Sequence, residues 1–313
     1  MPPKILVITG PTASGKTALA VELAKRRNGE VVSADSMQIY RRMDIGTAKP
    51  TVEEMGGIPH HMIDVADPEE DFSVARYVDM AAACVEDVLS RGRLPILAGG
   101  TGLYIDSLLS GRTFAAFDEA SPLRADLEER YHKEGGEALL AELARVDPES
   151  AARLHPNDAK RIVRALEVFL TTGKTITEHN NETRALPLRY DALTLTLDFE
   201  RREDMWDRID RRVDRMMEAG LAEEVRALLD SGVPARCTAM QAIGYKEMAA
   251  AIRGDGDIQA AADEIKLRSR QYAKRQRTWF RRNLEAKKLF WGPVPVFADV
   301  LQRSTAYLEE FGI

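Results

Sequence analysis

Residues 10–17 read GPTASGKT and follow the short apolar run KILVIT at 4–9. A continuous apolar run ended by glycine is the pattern of a strand buried on both faces of a parallel sheet. Beyond the loop, TALAVELAKRR at 17–27 carries apolar residues at helical spacing. Strand, loop and helix in this order give GxxxxGK[ST] its structural context, in which backbone N–H groups and a helix N-terminus face one anion. Gly10, Pro11, Thr12, Ala13, Ser14, Gly15, Lys16 and Thr17 are therefore expected to hold phosphates. Lys16 adds a full positive charge, and Thr17 offers a hydroxyl to the Mg2+ that accompanies a diphosphate.

The rest of the chain extends this unit. GEVVSADS at 29–36 reads as a second buried strand ending at Ala34–Asp35, and LPILA at 94–98 as a third, followed by GGTGLY. Between them, residues 72–91 form a long helical pattern with Ser73 placed to cap it and Gly92 just past its end. Strands alternating with helices predict an α/β fold, a P-loop NTPase-like parallel sheet core flanked by helices. The pattern changes near Phe117. From Ser121 to about Thr172 helix follows helix, and TGKTITEHNNETRALP at 172–187 reads as loop. YDALTLTLDF at 190–199 alternates and returns to the sheet; from Arg201 onward the pattern is helical, with a turn region at 231–238. The expected organisation is a core from 1–117 and 189–313, with a helical C-terminal part, interrupted by an all-helical insertion at 118–188.

The 313 residues carry a net charge of −6, which excludes a surface coated in nucleic acid but leaves room for a local basic patch. That patch is KLRSRQYAKRQRTWFRRN at 266–283, where Arg270, Lys274, Arg277 and Arg281 fall at i, i+4, i+7 and i+11 of a helix. Almost no acid interrupts it, and Tyr272, Trp279 and Phe280 lie among the cations, as a nucleic-acid backbone contact requires. A solvated face paired with core acids is the alternative. A smaller basic cluster, DAKRIVR, holds Lys160, Arg161 and Arg164. Cys84 and Cys237 have neither disulfide nor zinc spacing. No stretch approaches the ~20 apolar residues of a membrane span, so the expectation is a cytoplasmic protein with no membrane partner.

Asp35 lies just past a strand whose carboxyl end borders the ligand crevice, where a carboxylate is poised as base or metal ligand; capping the next turn is the plainer role. Asp44 reads as structural. His60 and His61 precede Asp64, but adjacent histidines point apart and no third ligand converges. Kinase chemistry needs an apolar strand ending in a metal-binding Asp. The strand at 94–98 ends instead in glycines and Thr101, and Asp64 is a weaker substitute.

Taken together, GPTASGKT, SADSMQIYRRMDIGTAKP, GGTGLY, HPNDAKRIVRALEVF, MQAIGYKE and AKRQRTWFRR resemble, in order, the motifs of the tRNA dimethylallyltransferases, also called tRNA isopentenyltransferases. The resemblance covers nearly the whole chain. It implies transfer of a dimethylallyl group from dimethylallyl diphosphate to the exocyclic amine of the adenosine 3′-adjacent to the anticodon, in tRNAs reading codons that begin with U. It implies Mg2+ as cofactor and the anticodon stem-loop as partner, the chain acting as a monomer and the insertion clamping the tRNA. Asp35 becomes the base, with Thr101 and Lys16 as further catalytic groups. Ser36, Met37 and Gln38 join Asp35 and Thr101 around the flipped-out base. By the same resemblance Arg124, Lys160, Arg161, Ile162, Val163 and Arg164 contact tRNA. So do Gln241, Ala242, Ile243, Gly244, Tyr245 and Lys246, and then Lys274, Arg275, Gln276, Arg277, Thr278, Trp279, Phe280 and Arg281. Two rival readings share the loop: a prenyltransferase acting on free AMP or ADP, and a small-molecule kinase.

Overall fold

Six parallel strands in the order β3-β2-β4-β1-β5-β6 form one sheet. The computed structural model describes residues 2–111, 121–254 and 256–313, without the side chains at 184 and 185. The chain runs β1 (Lys4–Thr9), α1 (Lys16–Arg27), β2 (Gly29–Ser33), α2 (Val52–Met55), β3 (His60–His61), α3 (Val74–Ser90), β4 (Leu94–Ala98) and α4 (Gly102–Leu109). A helical segment follows: α5 (Pro122–Glu134), α6 (Gly136–Val146), α7 (Pro148–Ala151), α8 (Ala159–Thr172) and α9 (Ile176–Ala185). It returns through β5 (Asp191–Phe199), α10 (Arg202–Glu218), α11 (Leu221–Asp230), α12 (Tyr245–Arg253), α13 (Ile258–Phe280), β6 (Lys287–Trp291) and α14 (Phe297–Phe311).

The chain divides into two compact units, residues 1–109 with 189–313, and residues 110–188. The expected boundary at 117/118 lies outside the described residues. In the first unit, β1 and β5 pair from Lys4 with Asp191 to Thr9 with Thr196, and Leu6, Ile8, Leu195 and Leu197 meet Leu19 and Leu23 of α1 in a dry core. Near-continuous apolar strands are what a sheet covered by helices requires. The second unit has its own core, in which Leu127, Leu139, Leu143, Ile162, Val163 and Leu166 are buried.

Two expectations are corrected. Residues 172–187 are not loop, because α9 occupies most of them. Thr175 Oγ1 accepts from Glu178 N–H at 3.1 Å while Glu178 Oε2 accepts from Thr175 N–H at 2.7 Å. This capping box starts a helix whose polar composition hides it. Nor is the chain after Arg201 wholly helical. In β6, Leu289 and Trp291 are buried while Lys288 and Phe290 are exposed, an alternation that follows directly on a basic run.

At the amino end of β2, away from the loops, Glu30 is buried. It accepts from Arg91 at 2.8 Å, Arg93 at 2.6 Å and His61 at 2.7 Å. His60 Nδ1 bonds to Ile58 O at 2.8 Å, so both histidines of the metal candidate have structural partners. Arg91 above all holds the Glu30 carboxyl down at about 2, against burial. A carboxyl depressed in the fold stabilises above its unfolded value near 4.5 and loses that contribution as pH falls toward 2. Urea melts at neutral pH are expected to show Glu30→Gln less stable by about 2 kcal/mol, since it strips two half-exposed arginines of their partner. Between those two pH values the variant should lose less stability than the parent; equal losses would remove Glu30 from the acid transition.

Candidate active site

The parallel sheet sends the loops after β1, β2 and β4 to one edge, where they wall a cleft of about 1470 Å³ with α10, α13 and residues 241–243. Thr12 to Thr17, Asp35 to Gln38, Gly99 and Gly100 line it. This is the crevice outside the carboxyl ends of the strands.

The phosphate loop is fixed from outside. Trp291 Nε1 of β6 donates to Ser14 O at 2.8 Å, and Gln276 Oε1 of α13 accepts from Thr12 N–H at 2.8 Å. Gly15 has φ 83°, a left-handed turn into α1 that a side chain would strain. Gly10 and Pro11 do not line the cleft, contrary to the expectation that all eight residues meet the anion. Gly10 abuts Leu197, and Pro11 O accepts from Lys16 Nζ at 2.8 Å. Burial first, and Arg212 second, depress the Lys16 ammonium to about 8, while Asp35 pulls the other way. Thr17 is exposed at the start of α1 and lines the cleft.

Asp35 Oδ1 accepts from Met37 N–H at 2.9 Å and Gln38 N–H at 3.4 Å. Asp35 therefore makes the capping turn while also lining the cleft. Thr101 is not part of the cleft wall. Its Oγ1 accepts from Ser36 N–H at 3.0 Å and its hydroxyl donates to Ser36 Oγ at 3.3 Å, tying the β4 loop to the Asp35 loop. Gln38 Nε2 donates to Thr47 O at 3.4 Å and Ala48 O at 3.2 Å. The Asp44 loop is held in turn by Glu224, which accepts from the N–H groups of Asp44, Ile45 and Gly46 at 2.9, 2.8 and 3.2 Å. Asp44 and Asp64 both pair with Lys49, the latter at 2.6 Å, so neither stands as a metal ligand.

The cleft also holds cations that motif reading missed. Arg208, Arg211, Arg212 and Arg215 of α10 line it. Arg212 donates to Thr47 O at 3.3 Å, and Arg208 lies over the Phe199 and Trp291 rings with its buried Nη1 lacking a partner. Burial depresses both guanidiniums, Arg211 and Arg215 adding to it at Arg208. The signal was available: Arg208, Arg212 and Arg215 fall at helical spacing, but interspersed aspartates disguise it. Among the described residues Tyr272 is the single aromatic side chain in the cleft wall, its hydroxyl pushed up to about 12 chiefly by burial.

Several expected RNA contacts face inward instead. Arg270 pairs with the partly exposed Asp210 of α10 at 2.6 Å and Arg277 with the buried Asp198 at 2.7 Å, so half of the stripe on α13 is taken up by ion pairs within the fold. Gln276 and Phe280 are buried, and Trp279 Nε1 donates to Asp106 at 3.0 Å. Thr278 donates to its own helix at Lys274 O. Lys274, Arg275, Arg281 and Arg282 are exposed. Ala242, Gly244 and Tyr245 are buried, with Tyr245 bonded to Glu224; Gln241 and Lys246 are exposed, and Ile243 lines the cleft. In the second unit Ile162 and Val163 belong to the core, and Arg164 and Arg124 approach the buried Glu167 at 2.8 and 4.0 Å. Lys160 and Arg161 are exposed there.

The IPP transferase family model matches residues 38–283. The chain belongs to this family. A tRNA dimethylallyltransferase of Acetivibrio thermocellus is 45% identical over 99% of this chain and 98% of its own length. The tRNA dimethylallyltransferase 1 of Trichlorobacter lovleyi is 50% identical over 90% of this chain and 92% of its own. Among solved structures, the tRNA isopentenylpyrophosphate transferase of Bacillus halodurans superposes with TM-score 0.73 at 42% identity, covering 98% of this chain and 96% of its own. A eukaryotic dimethylallyltransferase acting on tRNA superposes with TM-score 0.82 at 29% identity, covering 98% and 80%. Among the described residues no helix is long and apolar enough to cross a membrane.

The IPP transferase cleft makes a measurable claim about Lys16. Its ammonium is depressed in the free protein, and a bound diphosphate favours the charged form. Above pH ~8, diphosphate binding should therefore take up close to ~1 proton, and below pH ~7 almost none. Calorimetry in buffers of different ionisation heat reads this directly; buffer-independent heats at pH ~9 would refute it.

Proposed function

We propose that this chain transfers a dimethylallyl group from dimethylallyl diphosphate to the exocyclic amine of the adenosine 3′-adjacent to the anticodon, in cytoplasmic tRNAs reading codons that begin with U. The observation that carries this reading is one cleft with cations at one wall and the Asp35 carboxylate at another, in a member of this family.

The allylic carbon–oxygen bond breaks with its electron pair going to diphosphate, and the adenine amine forms the new carbon–nitrogen bond. An exocyclic amine is a weak nucleophile, so stabilising the departing charge is the main task. Lys16, the α1 N-terminus, Arg208 and Arg212 serve it from inside a partly dehydrated cleft, where charge counts for more than in water. The amine becomes acidic as the bond forms, and Asp35 Oδ2 takes its proton. The Thr17 hydroxyl is a hard oxygen donor suited to Mg2+, and no cluster of three or more acidic, His or Cys side chains competes for the ion among the described residues. When bound there with water and diphosphate oxygens, Mg2+ supplies further neutralisation of the leaving group. The exposed Lys274, Arg275, Arg281 and Arg282 offer a phosphate track, and Lys160 and Arg161 a second contact, in a single copy of the chain.

Label transfer decides among the readings. With Mg2+ and prenyl-labelled dimethylallyl diphosphate, label is expected in an anticodon stem-loop RNA and lost when the one adenosine is replaced. Label in AMP alone would favour the free-nucleotide enzyme, and phosphate moving from ATP a kinase. Asp35→Ala should lower turnover at least ~100-fold while RNA affinity stays within about twofold; undiminished turnover removes Asp35 as base. Replacing Lys274 and Arg281 together by Gln should flatten the slope of log affinity for RNA against log salt by about 1.5, leaving diphosphate affinity unchanged.

A further inference from the structure

We propose that Gln276 is a positioning residue for the transfer step, its side-chain amide setting the spacing between the diphosphate loop and the Ser36–Thr101 pair beside Asp35. The proposal rests on the prenyl-transfer reading above. Gln276 is only 6% exposed, in the last turns of α13. Its Oε1 accepts from Thr12 N–H at 2.8 Å and its Nε2 donates to Gly100 O at 2.9 Å. These partners belong to different loops, one after β1 and one after β4, and the second leads straight into Thr101. Tyr272 lies one turn earlier on the same helix face, and Thr101 and Gln276 both favour its ionised hydroxyl against the effect of burial.

The bridge is one amide deep. A Cβ at Gly100 would lie 2.3 Å from Gln276 Nε2, and one at Gly102 would lie 2.3 Å from the Trp279 ring. α13 thus approaches the β4 loop and the start of α4 closely at two points about one helical turn apart. The chemical demand is also one-way. A backbone N–H can only donate and a carbonyl can only accept, so the bridging group must present an acceptor to Thr12 and a donor to Gly100. A neutral carboxamide does both; a carboxylate satisfies Thr12 and repels Gly100. With both ends engaged by loops, Gln276 acts on the reaction through the groups it holds. The leaving group sits on the Thr12 side, and the carboxylate and acceptor amine on the Thr101 side. Displacement needs them in line, and a shift of ~1 Å costs about 100-fold in rate.

The test exploits that polarity. Single-turnover transfer to an anticodon stem-loop RNA is measured at saturating substrates from pH about 5.5 to about 8.5, together with KM for both substrates. Gln276→Met, which has neither donor nor acceptor of strength, should lose about 100-fold in rate while both KM values stay within about twofold. Gln276→Glu should be slow when ionised and recover as pH falls, because its protonated carboxyl again accepts from Thr12 and donates to Gly100. The variant-to-parent rate ratio should therefore rise toward low pH. A pH-independent ratio, or a loss confined to KM, overturns the proposal. Should Gln276→Met fail to fold, the pH ratio of Gln276→Glu still decides. Absence of any RNA label with the parent protein overturns the prenyl-transfer reading itself, and this inference with it.

Discussion

All six strands run in one direction, so every loop that bears a chemical group leaves the sheet at the same edge. Lys16 follows β1, Asp35 follows β2, and the GGTG turn follows β4. Lys16, Asp35 and Gly100 lie up to 84 positions apart yet meet in one cleft because parallel pairing sends these loops to one edge. Everything else in the first unit either covers that sheet or closes over that edge. α1 packs Leu19 and Leu23 into the core while presenting its N-terminus to the cleft. β6 completes the sheet and sends Trp291 to hold the loop at Ser14.

The cleft concentrates cations in a chain that is acidic overall. Lys16, Arg208 and Arg212 are depressed chiefly by burial, Arg212 adding to it at Lys16, and Asp35, joined by Glu54 at Arg212, offsets part of that cost at Lys16 and Arg212. A site built this way is poorly matched to itself and well matched to a multiply charged anion. Under the proposed transfer, the same arrangement would stabilise a diphosphate more as its charge grows during bond breaking, which is the condition for catalysis rather than mere binding.

α13 has two unlike sides. Inward, Arg270 and Arg277 pair with Asp210 and Asp198, Gln276 bridges two loops, and Phe280 is buried. Outward, Lys274, Arg275, Arg281 and Arg282 remain exposed. The charges of this helix are thus divided between ion pairs within the fold and solvent.

Some of this was legible in the residues and some was not. GPTASGKT between an apolar run and a helical pattern announced a parallel sheet and an anion site, since a buried strand and an anion-facing helix start each impose a local pattern. Asp35 was found for the same reason, being one step past a strand. The short strand β6 and helix α9 were missed, as their signals were an alternation of five residues and a single capping box. The stripe on α13 was misjudged because spacing shows which residues share a helix face and says nothing about which acids that face will meet. Arg208 and Arg212 share a helix face that interspersed aspartates disguise, and the Gln276 bridge was invisible, since it acquires its meaning from partners far away in the chain. The sequence by itself determined the sheet, the phosphate loop and the family, all written in local pattern. Only the tertiary structure decided which cations face the cleft, which are taken up by ion pairs within the fold and which loops one buried amide ties together, because those are distances between residues that sequence does not make neighbours.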